Sequence, residues 1–272
     1  MHIDSFFAIS NSSLEDAEYV LFGIPYDATQ SFKSGSRFAP TAVREASWNM
    51  EEYSVYFDFS FDEVKVCDAG NINVDGSVED VIERVARFIG KIKATPIAIG
   101  GEHSISYMVA RNMGDFCYLV FDAHFDLRDS FDGSLYNHAC NARRVHELGV
   151  DIIQVGVRSG TKGERIFAEE NGIEVFYSWQ IIENGVDDVI DALEDYRNIY
   201  LSVDIDAFDP SFAPGVSTPE PFGLHPLHLL KLIEEVGDRI VGFDVTEVIP
   251  DSEKITQSLA AKLIYEIIAS TA

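Results

Sequence analysis

The sequence has few cysteines and no long apolar run, and each scarcity excludes a class of protein. Its three cysteines among 272 residues, Cys67, Cys117 and Cys140, form no CxxC pair. A disulfide scaffold and a structural zinc knot are therefore not indicated, and a reducing compartment is expected. No stretch reaches the roughly 18 consecutive apolar residues of a membrane span, and the first residues lack the basic and apolar segments of a signal peptide. We therefore predict a cytoplasmic protein.

Basic side chains are also scarce. Lysine and arginine total 20 against 46 aspartates and glutamates, which gives a formal net charge of −26. Such a surface repels nucleic-acid phosphates and anionic lipid headgroups, so we predict neither nucleic acid nor a membrane as a partner. It suits a cationic substrate or a metal, although the same charge also serves solubility in a salty cytoplasm.

Short apolar runs alternate with amphipathic helical patterns along most of the chain. The runs are apolar on both faces, as in strands of a parallel sheet covered on both sides. The predicted strands are Tyr19–Gly23, Val64–Asp68, Pro96–Gly100, Tyr118–Asp122, Ile152–Gly156, Glu174–Tyr177, Ile199–Asp204 and Ile240–Asp244. The predicted helices are Val78–Ile92, Asp187–Tyr196, Pro226–Val236 and Gln257–Ile268. This alternation predicts the α/β class, with one domain over residues 1–272 and a mainly parallel sheet of about eight strands.

Four of the predicted strands end in residues that bear chemistry. Ligands of α/β proteins bind beyond the carboxyl ends of the strands. The residues there are His103 after the third strand, Asp122, His124 and Asp126 after the fourth, Asp204 and Asp206 after the seventh, and Glu247 after the eighth. In an extended segment, residues two apart share a face. The four aspartates and two histidines are therefore expected to face one volume.

Four clustered carboxylates need cations. No lysine or arginine lies within these motifs, and the nearest in sequence is Arg128. Burying the carboxylates without a partner is costly, and divalent ions remove that cost. Six ligands suit two metals with bridging carboxylates, and mixed carboxylate and imidazole ligation suits Mn²⁺. Each motif alone is more often a loop or a helix cap, but the three in order on separate strand ends predict a metal centre.

The three motifs resemble the signatures of the ureohydrolases, the family of arginase, agmatinase and their relatives. They are GGEHS at Gly100–Ser104, DAHFD at Asp122–Asp126 and SVDIDAFDP at Ser202–Pro210. The resemblance covers nearly the whole chain, and it includes Gly23–Asp27, Gly35–Pro40, Thr218–Pro221 and Asp244–Pro250. It implies a three-layer α/β/α fold like that of arginase.

The resemblance also implies roles for individual residues. One Mn²⁺ would take His103 and Asp126, and the other His124 and Asp206, with Asp122 and Asp204 bridging both ions. A hydroxide between the ions would attack a guanidinium carbon. Glu247 matches the position that pairs with the substrate guanidinium. His138 matches a mobile histidine that also contacts substrate and carries a proton to the leaving amine, with a pKa expected near working pH. The catalytic set is then His138, Asp126 and Glu247.

The substrate is less constrained than the reaction. The stretch after Asp126, with Arg128 where arginases carry an asparagine, resembles agmatinases more than arginases. This implies hydrolysis of agmatine to putrescine and urea, a step of polyamine biosynthesis. Other guanidino or formimino substrates, such as guanidinobutyrate, arginine or formiminoglutamate, remain open, as does a metal-binding paralogue without turnover. Family members are often trimers or hexamers, so a homo-oligomer is expected.

Overall fold

Eight parallel strands form the central sheet of the computed structural model, which describes residues 6–272. The strands of the chain are β1 Tyr19–Ile24, β2 Tyr53–Ser54, β3 Phe59–Ser60, β4 Val66–Asn71, β5 Thr95–Gly100, β6 Cys117–Phe121, β7 Ile152–Val157, β8 Glu174–Tyr177, β9 Ile199–Asp204 and β10 Ile240–Thr246. Strands β2 and β3 pair separately as a small antiparallel hairpin. The central sheet has the order β4-β1-β5-β10-β9-β6-β7-β8. All eight predicted strands and their parallel pairing are confirmed, with ends shifted by a few residues.

Nine helices occur in the described residues. They are α1 Ala39–Ser47, α2 Val78–Ile89, α3 Ser104–Ala110, α4 Asn141–His146, α5 Lys162–Glu170, α6 Ser178–Asn184, α7 Asp187–Ala192, α8 Pro226–Val236 and α9 Ile255–Thr271. The four predicted helices are present, but two of them end earlier than predicted. Helix α2 ends before Gly90, and α7 ends before Leu193. Between residues 6 and 272, no helix combines the length and the apolar character that crossing a bilayer requires.

Side chains alternate across the sheet into two apolar cores. On β6, Leu119 and Phe121 join the core under α1, α7, α8 and α9, whereas Tyr118 and Val120 join the core under α2, α3 and α4. A strand with both faces buried is apolar at most positions, which explains the long apolar runs in the sequence. The result is the three-layer α/β/α arrangement that the resemblance implied.

A buried ion pair joins α1 to the edge strand β4. The Arg44 guanidinium donates to both carboxylate oxygens of Asp68, through Nε at 2.7 Å and Nη2 at 2.8 Å, and also donates to Asn71 Oδ1 at 2.6 Å. Asp68 accepts two further hydrogen bonds, from the backbone amides of Phe7 and Gly70. Every acceptor of this carboxylate is thus used inside the protein. Loss of either partner would leave a buried charge without compensation.

We therefore expect Arg44→Met to lower the free energy of unfolding by about 3–5 kcal/mol, the cost of orphaning a buried carboxylate. Urea denaturation followed by circular dichroism measures this change. The matched control is Arg165→Met, because Arg165 pairs with Glu169 on the exposed surface of α5. Its unfolding midpoint should stay at the wild-type value. Equal midpoints for the two variants would contradict a stabilising role for the Arg44–Asp68 pair.

Candidate metal centre

The candidate site lies at the carboxyl ends of four adjacent strands in the middle of the sheet, β5, β10, β9 and β6. His103 lies between β5 and α3, and Asp204 is the last residue of β9. The segment Asp122–Asp126 follows β6, and Glu247 follows β10. Neighbouring parallel strands end at the same edge, so residues far apart in sequence meet there. The predicted site residues therefore lie at the carboxyl ends of the strands, as expected.

Local turns, not strand alternation, bring the aspartates together. Strand β6 ends at Phe121, so Asp122 already lies in a loop. The Asp122 Oδ1 accepts a hydrogen bond from the His124 amide at 2.6 Å, and Asp204 Oδ1 accepts one from the Asp206 amide at 2.9 Å. Asp126 has a left-handed backbone with φ of 51°. The prediction that these residues share the face of an extended strand is therefore wrong, although its conclusion that they meet is right. Aspartates form such turns because the side chain reaches the amide two residues ahead.

The ligand atoms form two groups that share Asp122. His103 Nδ1 lies 3.1 Å from Asp122 Oδ2, 3.1 Å from Asp126 Oδ2 and 3.3 Å from Asp204 Oδ2. In the second group, His124 Nδ1 lies 3.2 Å from Asp206 Oδ2 and 3.5 Å from Asp122 Oδ1. All six predicted ligands thus lie together.

The first group has the donor arrangement of a cation site. His103 Nε2 lies 3.1 Å from Ser202 Oγ, which in turn donates to Asp244 Oδ1 at 2.8 Å. The serine proton is committed to Asp244, so Ser202 Oγ can accept from His103 Nε2–H, which leaves His103 Nδ1 facing the carboxylates. His103 Nδ1 and Asp122 Oδ2 are buried and have no hydrogen-bond partner. When the imidazole is neutral and protonated on Nε2, these two atoms are acceptors that face each other, which fits a cation between them.

Lysine and arginine side chains do not balance the charges of the cluster. No lysine or arginine within residues 6–272 forms an ion pair with Asp122, Asp126, Asp204 or Asp206. Burial and the neighbouring Asp122 raise the pKa of Asp126 to about 7. Burial, Asp206 and Asp122 likewise raise the pKa of Asp204 well above its ordinary value. The protein alone therefore resists full ionisation of this site, and divalent ions would reverse that effect.

Glu247 lies directly beside the cluster. Its Oε1 accepts a hydrogen bond from the His103 backbone amide at 2.8 Å, and its Oε2 accepts one from Gln30 Nε2 at 2.5 Å. The backbone is left-handed, with φ of 63°, and the Glu247 amide donates to the Gly101 carbonyl at 2.8 Å. Burial, followed by repulsion from Glu102, raises the pKa of Glu247 well above its ordinary value. A guanidinium in the adjacent cavity would offset this repulsion.

His138 reaches the same site from the loop before α4. Burial, and then the nearby His124 and His103, lower its pKa to about 4. The ring is therefore neutral at pH 7, which differs from the expected pKa near working pH. A neutral imidazole can accept a proton without first losing one.

These groups open onto one cavity of about 210 Å³. Seven of the predicted site residues line it, namely His103, His124, Asp126, His138, Asp204, Asp206 and Glu247. Asp122 lies buried between the two ligand groups. The outer wall includes Arg128, whose guanidinium stacks on the Phe131 ring at 4.4 Å and lies 3.6 Å from a Glu164 oxygen.

Sequence reasoning missed the loop that covers the cavity. Thr29, Gln30 and Ser31 follow β1 and contact His138 or Glu247. They fall between Gly23–Asp27 and Gly35–Pro40, the two stretches that carried the resemblance, and their own residue types are common in any loop. Only the long-range contacts identify them.

Arg158 was also missed. Its guanidinium donates to main-chain carbonyls of three separate segments, among them Asp206 at 2.7 Å, Glu220 at 2.9 Å and Gly156 at 3.0 Å. It therefore holds the turn that carries Asp206 without neutralising the carboxylate. No local sequence signal predicts this, because the carbonyl acceptors are not encoded by residue type.

Comparison with known proteins identifies the family to which the chain belongs. The profile of the arginase family matches residues 17–269. An agmatinase from Pyrococcus horikoshii is 39% identical over 95% of this chain and 94% of its own length. An N(1)-aminopropylagmatine ureohydrolase from Thermococcus kodakarensis is also 39% identical, over 95% of this chain and 92% of its own length.

A solved structure gives the same result for the fold. The agmatine ureohydrolase of Thermoplasma volcanium superposes with a TM-score of 0.93 at 36% identity, covering 100% of this chain and 95% of that protein. The resemblance that the three motifs indicated is confirmed. This chain belongs to the arginase family and is a hydrolase that acts on carbon–nitrogen bonds of linear amidines.

Proposed function

We propose that this protein hydrolyses the guanidino group of agmatine, giving urea and putrescine, with two Mn²⁺ ions bound. The observation that carries the proposal is the buried Asp122 carboxylate, which belongs to both groups of candidate ligand atoms and has no lysine or arginine partner in the described residues. The agmatinase among its relatives supports the choice of substrate.

The six ligands divide between two ions. His103, Asp126 and Asp204 would hold one ion, His124 and Asp206 the other, and Asp122 would serve both. A bridging role for Asp204 as well follows from the family resemblance. Oxygen-rich ligation with one imidazole for each ion favours Mn²⁺ over metals that prefer sulfur. When bound, the pair of ions supplies an activated water at neutral pH and neutralises the carboxylates.

Glu247 would bind and orient the guanidinium. Its carboxylate borders the cavity, and a carboxylate can accept two N–H groups of a planar guanidinium at once. To do so it must exchange its hydrogen bond from Gln30 for one from the substrate. Asp126 and Asp204 line the same cavity, so the reacting carbon would lie next to the metal ligands.

His138 would move the proton that the leaving amine needs. Its ring lines the cavity and is neutral at pH 7. It can therefore take a proton at one ring nitrogen and pass it to the departing amine. The departing putrescine would carry positive charge, which the acidic surface tolerates.

A second candidate substrate is N(1)-aminopropylagmatine. The relative from Thermococcus kodakarensis carries that name and is as similar as the agmatinase. The two substrates share the guanidino group and differ in the length of the cationic tail. Arginine, guanidinobutyrate and formiminoglutamate remain alternatives, as does a paralogue without turnover. A single domain over residues 1–272, a trimer or hexamer and a cytoplasmic location also remain proposals.

We expect urea release from agmatine to exceed release from arginine and guanidinobutyrate after loading with Mn²⁺. The panel also includes N(1)-aminopropylagmatine, and formiminoglutamate with formamide detection. Agmatine carries no carboxylate, and the buried acidic groups around the cavity disfavour one. A higher kcat/KM for N(1)-aminopropylagmatine than for agmatine would make it the preferred substrate and leave the proposed hydrolysis of the guanidino group unchanged. No product from any of the five compounds would contradict the proposed function.

Asp122→Asn should abolish the binding of both ions, because it removes the carboxylate shared by the two groups. Elemental analysis after dialysis against Mn²⁺ measures ions per chain. Asp129→Asn serves as the control, since Asp129 is an exposed carboxylate that pairs with Arg143 and Arg144 outside the cluster. Two ions retained by Asp122→Asn would contradict the shared-ligand assignment.

Glu247→Gln should raise KM for agmatine roughly 10- to 100-fold, the cost of losing a charged hydrogen-bond acceptor. It should also lower kcat, because the guanidinium is less firmly oriented. Manganese content should stay at the wild-type value, which separates substrate binding from metal binding. An unchanged KM would remove Glu247 from the substrate site.

A further inference from the structure

A buried carboxylate next to the metal ligands has no role in the ligand set. Glu102 is fully buried, and no described lysine or arginine pairs with it. Its Oε2 accepts the Thr29 amide at 2.6 Å, and its Oε1 accepts the hydroxyls of Thr29 and Ser104, each at 2.6 Å. Glu102 therefore joins the GGEHS segment to the loop that covers the cavity.

Thr29 connects this carboxylate to His138. The Thr29 hydroxyl accepts the His138 backbone amide at 3.1 Å and lies 3.2 Å from His138 Nδ1. A hydroxyl has one proton to donate and can accept two. The Thr29 hydroxyl donates that proton to Glu102 Oε1, because the 2.6 Å contact with this oxygen is much shorter than the 3.2 Å contact with His138 Nδ1. The ring nitrogen facing Thr29 must then be a donor.

We propose that Glu102 and Thr29 are positioning residues that fix His138 in the tautomer protonated on Nδ1. Both acceptor sites of the Thr29 oxygen are then filled, one by the His138 amide and the other by Nδ1–H. The opposite nitrogen, Nε2, keeps its lone pair and lies 3.4 Å from the Ser31 hydroxyl. His138 is thus set to accept a proton at Nε2, the use that the proposed function requires, and the inference rests on that function for its kinetic consequence.

The hydrogen bonds that link Glu102, Thr29 and His138 can also run in the opposite direction, which would give the other tautomer of His138. If the Thr29 hydroxyl donated to His138, Nδ1 would be the acceptor and Nε2 would carry the proton. His138 would then donate from Nε2 and could not accept there. The two arrangements have the same heavy-atom positions, so a measurement of the proton decides between them.

The tautomer can be read from long-range ¹H–¹⁵N correlation spectra of the full chain labelled at histidine. Mg²⁺ replaces Mn²⁺ as a diamagnetic ion, and His138→Gln assigns the resonance. We expect His138 to be protonated on Nδ1 near pH 7.5. Thr29→Val, which keeps the side-chain shape and removes the hydroxyl, should shift the ring toward the Nε2–H form. Thr29→Ser, which keeps the hydroxyl, should retain the wild-type pattern.

The kinetic effect should fall on turnover. Thr29→Val should lower kcat for agmatine about 10- to 100-fold, part of the roughly 10²- to 10⁴-fold that a positioned proton acceptor provides. KM and manganese content should stay near their wild-type values, and Thr29→Ser should recover most of the lost kcat.

Two results would overturn the inference. One is an Nε2–H tautomer in the wild-type chain, and the other is an unchanged tautomer in Thr29→Val. Failure of the wild-type chain to hydrolyse agmatine would instead count against the proposed function, because the tautomer is measured without turnover.

Discussion

The structure of the site depends on the electrostatic cost of four buried carboxylates. Asp122, Asp126, Asp204 and Asp206 converge with His103 and His124, and no lysine or arginine in the described residues forms an ion pair with them. A protein interior does not tolerate such a concentration of negative charge without compensation. Cations would offset this charge. Without them, burial and the neighbouring carboxylates raise the pKa values of Asp126 and Asp204. The proposed reaction depends on these cations.

The fold brings these residues together because the strands that carry them are neighbours in the sheet. Strands β5, β10, β9 and β6 are neighbours, so their carboxyl ends present His103, Glu247, Asp204 and Asp122 along one edge. Both faces of these strands are buried in apolar cores, which fixes their register and with it the separation of the ligands. The loop after β1 brings Thr29 and Gln30 to His138 and Glu247. The ends of the sheet strands thus position the candidate metal ligands, and this loop contacts the two residues proposed to act on the substrate.

The sequence predicted the sheet and the residues that meet at its edge, because both are encoded locally. Apolar runs define the strands, and the residues that follow them are read directly. The geometry of the ligand segments was not predictable from alternation, since Asp122 and Asp204 fold their own chains into turns by accepting amides two residues ahead. Helices α4 and α6 were not predicted, because six or seven residues give only a weak periodic signal. Thr29 and Arg158 act through contacts with distant segments, which no local pattern records.

The most direct test of the account measures stability against metal concentration. If the carboxylate cluster requires two divalent ions, the free energy of unfolding must rise with Mn²⁺ once the site begins to fill. Each bound ion then contributes about 1.4 kcal/mol for every tenfold increase in free Mn²⁺ above its dissociation constant. Urea denaturation across a Mn²⁺ series, with a chelator at the lowest concentration, gives this slope, and we expect the slope of two bound ions. An unfolding free energy that does not change with Mn²⁺ would show that the carboxylate cluster does not require divalent ions.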